Sequence, residues 1–223
     1  MSIAESIVQV QAQIRAAEAA SGRAPNSATL IAVSKTKPVS DIQQAVDAGQ
    51  ICFGENYAQE FRDKAKELEG VQVGGQGLDW HFIGSLQRNK VKYVVNRASL
   101  IHSVDSQRLG QAISDRANGR QGVLVSVNMG GEGTKSGIPI DQALELCKEL
   151  TLMPGLDLRG LMCIPPPEPG RWFEDLAELA AEGQRQGLPL TELSMGMSAD
   201  FEQAIALGAR WVRVGSRLFG ARG

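Results

Sequence analysis

The sequence predicts an α/β fold: a single (β/α)8 TIM barrel with an extra N-terminal helix. After the first helix, short apolar runs alternate with amphipathic stretches, which is the pattern of βα units and a parallel sheet. About eight apolar runs can be counted, each followed by a helical or turn-then-helix segment. An eightfold alternation of this kind favours a closed barrel over an open, doubly wound sheet.

The elements follow in order from the N-terminus. Apolar residues recur at helical spacing over residues 3–17, and Ser21-Gly22 is a helix-stop signal. The loops at residues 69–79 and 164–170 do not separate two self-sufficient sets of elements, so we expect one domain over residues 1–223. We predict strands at residues 29–34, 50–53, 80–83, 100–104, 123–128, 156–162, 192–194 and 211–214.

The composition excludes several classes of partner. The 23 Lys+Arg against 25 Asp+Glu give a net charge of -2 without a long basic run, so nucleic acid is not an expected partner. Cys52, Cys147 and Cys163 lack the spacing of a zinc site and are predicted to be free, mostly buried thiols. No stretch approaches the roughly 18 apolar residues of a membrane span. We therefore expect a cytoplasmic protein that does not bind membranes.

Chemistry in such a barrel gathers where the strands end, and the first strand ends beside Lys35. Lys35 keeps the alternation of Ile31 and Val33, so if these residues face the barrel interior the ammonium points inward too. Burial there lowers the pKa of a lysine and favours an amine that forms a Schiff base with a carbonyl compound. The alternative is an ordinary solvated lysine. Lys37 is a competing candidate, although Pro38 places it in the turn.

Arg213 lies in a short apolar strand, where a guanidinium must face a polar site or find a partner inside the protein. Its alternative role is a structural ion pair with a strand-end carboxylate such as Glu55. The following Gly215-Ser216 opens a short helix and offers backbone N–H groups and a hydroxyl to a phosphate. An ordinary serine N-cap is the alternative there.

The turn at residues 194–198 also allows two interpretations, a helix N-cap or a phosphate site. Ser198 could cap the helix that follows the seventh strand. Phosphate sites in barrels, however, commonly use the loops after the seventh and eighth strands together. Two serine- and glycine-containing turns in those places favour a phosphate site.

A glycine-rich loop at residues 130–137 is similar to a nucleotide-phosphate loop only at first sight. That pattern requires glycine at positions that Met129 and Thr134 occupy, so the match fails. Lys135, in the same loop, is a candidate second lysine at the rim, with a solvated lysine as its alternative.

His81 and His102 are the only histidines, and both lie on or next to apolar strands. No further ligands stand at a metal-site spacing from either of them. Isolated histidines of this kind are more often satisfied core residues than metal ligands, so we assign no metal.

Several strand-end motifs occur together, at residues 32–38, 53–57, 80–90, 135–137, 158–162, 193–198, 212–215 and 219–220. In this order they resemble the pyridoxal phosphate homeostasis protein family, the YggS/PROSC group, and they cover nearly the whole chain. The chain departs from the family's pattern after Met162, where Cys163 and the prolines at 165–167 leave the sixth rim loop undefined.

The resemblance implies a barrel like the N-terminal domain of alanine racemase, with pyridoxal 5'-phosphate bound as a Schiff base on Lys35. It places the phosphate at the turns of Ser194 and Gly215-Ser216, and Arg213 against the pyridine nitrogen. No catalytic residue is implied. The complete set of expected cofactor contacts is Lys35, Asn56, His81, Ser194, Met197, Arg213, Gly215 and Ser216.

The resemblance also implies a function in vitamin B6 homeostasis: a non-catalytic carrier that buffers the cofactor and delivers it to apo-enzymes. An arginine at the ring nitrogen disfavours its protonation, which makes the ring a weaker electron sink. We also expect no second domain and a monomer.

Two alternatives stay open. One is a single-domain alanine-racemase-like enzyme with weak activity on small amino acids, in which Lys35 is one base and His81 or Lys135 the other. The second is a barrel that binds some other phosphorylated metabolite at the same two turns.

Overall fold

A closed barrel of parallel strands forms the centre of the computed structural model, which describes residues 1–131 and 137–220. The strands are β1 (Thr29–Val33), β2 (Cys52–Glu55), β3 (Asp79–Phe82), β4 (Leu100–Val104), β5 (Gln121–Asn128), β6 (Leu156–Cys163), β7 (Glu192–Ser194) and β8 (Trp211–Val214). Each pairs in parallel with the next, and β8 pairs with β1 to close the ring. The predicted (β/α)8 barrel is confirmed.

Helices cover the outside of the barrel. They are α1 (Ile3–Ala20), α2 (Val39–Asp47), α3 (Ala58–Glu67), α4 (Val91–Val94), α5 (Gln107–Ser114), α6 (Ala143–Thr151), α7 (Trp172–Arg185), α8 (Phe201–Ala206) and α9 (Ser216–Phe219). α1 precedes the first strand and begins at a capping box formed by Ser2 and Glu5. It packs against α8 and α2, so the extra N-terminal helix is confirmed.

The alternation of side chains along the strands divides the apolar core in two. One large cluster lies between the strands and the helices. A separate, smaller cluster fills the barrel interior and contains Ile31, Cys52, Leu100, Leu124, Met162 and Trp211. Ile31 belongs to this inner cluster, which meets part of the condition that the parity argument sets for an inward Lys35.

The second strand lies two residues further along the chain than the predicted 50–53. Gln50 stays outside it because its side-chain amide donates to the backbone carbonyls of Leu30 (3.0 Å) and Cys52 (2.6 Å), bridging two strands at the base of the barrel. A polar side chain that satisfies strand carbonyls looks the same in sequence as a strand residue.

Residues 69–79, predicted as a loop, contain a short antiparallel hairpin of Gln72–Val73 with Gln76–Gly77. The turn is Gly74-Gly75, with φ of 58° and 84°. Two successive positive φ values suit a tight hairpin turn, which glycine reaches without strain. The glycines that indicated a loop are therefore the turn of a hairpin.

The three cysteines are free and buried, as predicted. Burial raises the pKa of the Cys147 and Cys163 thiols to about 12, so both are protonated at neutral pH. Within the described residues, none of the helices combines the length and the apolar character that crossing a membrane requires.

Candidate functional site

A cavity of about 380 Å³ opens at the carboxyl ends of the strands, where active sites of such barrels lie. Its volume lies in the range of small-molecule sites. It brings together six of the residues predicted from sequence: Lys35, Asn56, Met197, Arg213, Gly215 and Ser216. Lys37, Ser198, Ala199 and the apolar Val33, Ile83 and Ile164 complete most of its wall.

The turn that carries Lys35 is held from below by hydrogen bonds. The Ser34 hydroxyl donates to Glu55 Oε1 at 2.7 Å. The next residue, Thr36, has a φ of 62°, and its backbone N–H donates to Glu60 Oε1 at 2.6 Å. A left-handed threonine is strained, so this carboxylate bond stabilises the conformation that places Lys35 on the cavity wall.

A buried lysine that the sequence analysis missed completes this support. Lys64 on α3 donates from Nζ to Glu55 Oε1 (2.8 Å), Glu60 Oε1 (2.7 Å) and the carbonyl of Ser34 (2.7 Å). One sequence signal was available: Lys64 lies three residues after Phe61 on the buried face of the helix. Lysine on an apolar face is almost never buried without a partner.

Glu55 therefore pairs with Lys64, and the alternative ion pair between Glu55 and Arg213 is wrong. Burial raises the pKa of the Glu55 carboxyl, and the hydrogen bonds and charge of Lys64 only partly offset that effect. Two acidic side chains share one ammonium beneath the Lys35 turn.

The second lysine of this turn also reaches the cavity. Lys37 Nζ donates to the carbonyl of Phe219 at 2.9 Å, which ties the turn after β1 to the end of α9. Pro38 is the N-cap of α2, so Lys37 lies in the turn as predicted. Lys35 and Lys37 thus line one cavity, but Lys37 has a backbone acceptor outside the barrel.

Arg213 is buried and spans the top of the barrel interior. Its Nη1 donates to Ser194 Oγ at 2.6 Å and its Nη2 to the carbonyl of Cys163 at 2.8 Å. Burial lowers the pKa of the Arg213 guanidinium, but an arginine side chain stays protonated in proteins. The side chain is thereby a fixed cation on the cavity wall.

Two predicted contacts, Ser194 and His81, are not among the residues that line the cavity. Both are buried in the barrel interior, where Ser194 Oγ is 2.8 Å from His102 Nδ1 and His102 Nε2 is 2.8 Å from His81 Nδ1. His81 Nε2 in turn lies 3.1 Å from Asp79 Oδ2. Ser194 is the last residue of β7, and the turn that follows reaches the cavity only three residues later, at Met197. The Ser194 side chain therefore faces Arg213. His81 is not a rim residue either.

The turns after β7 and β8 meet at the cavity, as predicted for a phosphate site. Met197 and Ser198 line it from the first turn, Gly215 and Ser216 from the second, and the Ser216 hydroxyl donates to Ser198 Oγ at 3.2 Å. Ser198 does not cap α8, because Asp200 is the N-cap residue. The serine hydroxyls of both turns consequently face the same space.

Asn56 owes its position to a close approach of two strand ends. A Cβ on Gly84 would lie 2.1 Å from the Asn56 carbonyl oxygen, so only glycine allows this contact. Within the described part of the chain, Asn56 Oδ1 is buried and has no hydrogen-bond partner. A buried amide oxygen at a cavity wall is an acceptor that a bound molecule can satisfy.

Three groups that can bind metals meet at the opposite end of the barrel. Cys52, Asp79 and His81 each place one ligand atom within 4.8 Å of the others. Asp79 already accepts hydrogen bonds from His81 and from the Ser99 hydroxyl, so its carboxylate is occupied by protein donors and we assign no ion. Lys135, the candidate second lysine, lies outside the described residues.

Comparison with known proteins gives consistent results. Residues 8–223 match the family described as alanine racemase, N-terminal domain. The chain is 42% identical over 228 residues to the pyridoxal phosphate homeostasis protein of Escherichia coli strain K12, covering 99% of this chain and 97% of the relative. It is 43% identical to the protein of that name from Pseudomonas aeruginosa, covering 99% of this chain and 96% of the relative.

Solved structures agree with these relatives. PipY from Synechococcus elongatus PCC7942, with PLP bound, is similar at a TM-score of 0.84 and 35% identity, covering 98% of this chain and 100% of PipY. Alanine racemase from Corynebacterium glutamicum shares the fold at a TM-score of 0.72 and 15% identity. All of this chain aligns, with 64% of the racemase.

Proposed function

This chain belongs to the pyridoxal phosphate homeostasis proteins, within the family of the alanine racemase N-terminal domain, and on that premise we propose that it binds pyridoxal 5'-phosphate on Lys35. Its role is to buffer the free aldehyde and to deliver it to apo-enzymes. One observation carries the proposal: Lys35, Arg213 and two hydroxyl-bearing turns face a single cavity of about 380 Å³.

The residues of the cavity fit the two ends of this cofactor. The turns of Ser198 and of Gly215-Ser216 fit its phosphate. The two serines offer hydroxyl groups, and the first N–H groups of α9 are donors without an intrahelical acceptor. Ser194, expected at the phosphate, instead holds Arg213. Asn56 supplies an acceptor with no partner in the described residues.

Lys35 anchors the aldehyde end. Its Nζ would hold the aldehyde carbon through a C=N bond, which forms with loss of water from the amine and the aldehyde and is therefore reversible by hydrolysis. When bound, the cofactor supplies an electron-accepting ring. Arg213, a fixed cation on the wall, disfavours a proton on the ring nitrogen and thereby weakens that sink. A reversible anchor beside a weak electron sink suits a carrier more than a catalyst.

The proposed function is tested by adding pyridoxal 5'-phosphate to the purified protein. We expect a visible Schiff-base band and, after borohydride reduction and digestion, one pyridoxyl phosphate group on the peptide that contains Lys35. A protein that shows no band and no trapped adduct contradicts the proposal. Binding of inorganic phosphate without any band would instead favour a site for another phosphorylated metabolite.

Racemase activity is separated from the carrier role by deuterium exchange at the α-carbon of alanine in D2O. We expect the loaded protein to exchange no faster than free cofactor, because His81 is buried and off the cavity wall. Exchange that depends on Lys35 would overturn the carrier-only role. Direct transfer to apo-enzymes, a monomeric state and a cytoplasmic location remain part of the proposal.

Ser216→Ala is expected to weaken cofactor binding while the Schiff-base band keeps its position. The change removes one hydroxyl donor to an anionic group, which costs about 1.5–3 kcal/mol and lowers affinity about tenfold or more. Titration of the band measures the effect. Ser40→Ala, at an exposed position of α2, is the matched control and should bind as the parent does. Equal affinity of the parent, Ser216→Ala and Ser40→Ala would show that the Ser216 hydroxyl does not bind the phosphate.

A further inference from the structure

A chain of buried hydrogen bonds crosses the barrel interior from one end to the other. It begins at Asp79, at the start of β3, and passes through His81, His102 and Ser194 to Arg213 on the cavity wall. The three bonds between Asp79 and Ser194 measure 3.1, 2.8 and 2.8 Å, and the bond from Arg213 measures 2.6 Å. Asp79 does not line the cavity, and this chain is the hydrogen-bonded connection between its carboxylate and the cavity wall.

The hydrogen bonds of the chain have one consistent direction. Arg213 only donates, so Ser194 Oγ accepts from it and must give its single proton elsewhere. Its other described side-chain partner is His102 Nδ1, which therefore accepts. A neutral His102 then carries its proton on Nε2 and donates it to His81 Nδ1, and His81 donates from Nε2 to Asp79 Oδ2.

Charges at the two ends stabilise this direction. The Asp79 carboxylate also accepts from the Ser99 hydroxyl, and although burial opposes its ionisation, the bonds from His81 and Ser99 hold its pKa below the ordinary value. Burial, together with the charge of Arg213, holds the pKa of His102 well below its ordinary value, so His102 is neutral. A neutral ring between an anion and a cation has one favourable orientation of its N–H dipole.

We propose that Asp79, His81, His102 and Ser194 are positioning residues for Arg213: the Asp79 carboxylate, at the opposite end of the barrel, fixes both histidine tautomers so that the Ser194 hydroxyl donates to His102 and keeps its lone pairs for the guanidinium. The inference rests on the proposed function, in which Arg213 faces the ring of the bound cofactor. Reversal of the chain would give His102 a proton on Nδ1, leave the Ser194 hydroxyl proton without an acceptor, and make Ser194 Oγ accept from both His102 and Arg213, which changes the bond that holds the guanidinium.

The first test uses the cofactor-free protein and the fact that the chain has only two histidines. Nitrogen-15 NMR of the labelled rings resolves four nitrogens, and we expect protonated Nε2 and unprotonated Nδ1 in both residues at neutral pH. A parent protein with a proton on His102 Nδ1, or with charged His102, overturns the proposal. This measurement decides the direction of the chain whether or not the cofactor binds.

The second test compares Asp79→Asn with Asp157→Asn. Both aspartates stand near the start of a strand, both side chains are 36% exposed and both accept from a neighbouring side chain, but Asp157 contacts Arg159 outside the chain. An amide can donate to His81 and allow the reversed tautomers. We expect Asp79→Asn to gain signal for protonated His102 Nδ1, to shift the visible band or its pH profile, and to bind cofactor about 2- to 30-fold more weakly.

Asp157→Asn should leave the tautomers, the band and the affinity as in the parent. Unchanged tautomers and an unchanged band in a folded Asp79→Asn protein overturn the proposal, as does an equal effect of both variants. A parent that forms no band at all contradicts the proposed function instead, and the tautomers of the free protein then still decide the positioning role.

Discussion

Lys35→Ala is expected to abolish the visible Schiff-base band and the borohydride-trapped adduct. Lys35 lines the cavity at the end of β1, whereas Lys37 donates to the Phe219 carbonyl outside the barrel. Without the amine at position 35, the covalent bond to the aldehyde cannot form there. Absorbance titration and mass analysis of the digested protein measure the loss.

Lys37→Ala is the matched control, since it removes a lysine of the same turn and cavity. We expect it to keep the band, with weaker binding because one cation near an anionic ligand is gone. A band that survives in Lys35→Ala but disappears in Lys37→Ala would move the anchor to Lys37. A band that survives in both would move it to a lysine outside this turn.

Lys64→Met is expected to lower the free energy of unfolding by about 3–5 kcal/mol, because it leaves the buried Glu55 carboxylate without its ammonium. The same change frees the carbonyl of Ser34 and loosens the turn that presents Lys35, so cofactor affinity should fall too. Urea denaturation measures the first effect and absorbance titration the second. Lys66→Met, at an exposed position of the same helix, should stay within about 0.5 kcal/mol of the parent.

The pH dependence of Lys64→Met has a defined sign. Burial already raises the pKa of Glu55 above its ordinary value of 4.5, and removal of Lys64 raises that pKa further. A carboxyl with a raised folded pKa stabilises the protein at a pH below its unfolded pKa, and the contribution is lost as pH rises through the folded pKa. The deficit of Lys64→Met should therefore be smaller at acid pH than at neutral pH. A deficit that grows on acidification would contradict the role given to Glu55.

Much of the cavity could be predicted because its residues stand at strand ends. In a parallel barrel the carboxyl ends of all strands meet on one face, so the positions of Lys35, Asn56, Arg213 and Ser216 after or near apolar runs were enough to place them together. Strand parity from Ile31, which belongs to the inner cluster, predicted that Lys35 faces inward, and Lys35 lines the cavity. The order of the motifs gave the family.

Two predicted contacts are not on the cavity wall because a sequence does not show how far along a strand the cavity begins. Ser194 and His81 are buried in the same interior as Arg213, but neither lines the cavity, and sequence parity reports the direction of a side chain without its distance from the rim. The Lys64 support was missed because a lysine among helical polar residues usually lies on the solvated face. Its partners, Glu55 and Ser34, come from two different strand ends.

The sequence by itself determined the barrel, the extra N-terminal helix, the family and six of the residues that line the cavity, because periodicity, motif order and strand-end position can be read along the chain. Only the tertiary structure decided which charges pair and which polar groups touch. Glu55 forms an ion pair with Lys64, and Arg213 donates to Ser194 instead. His81 and His102, 21 positions apart in sequence, are hydrogen-bonded to each other between Asp79 and Arg213. Such partners are fixed by the register and closure of the strands, which bring residues from opposite sides of the barrel into its interior.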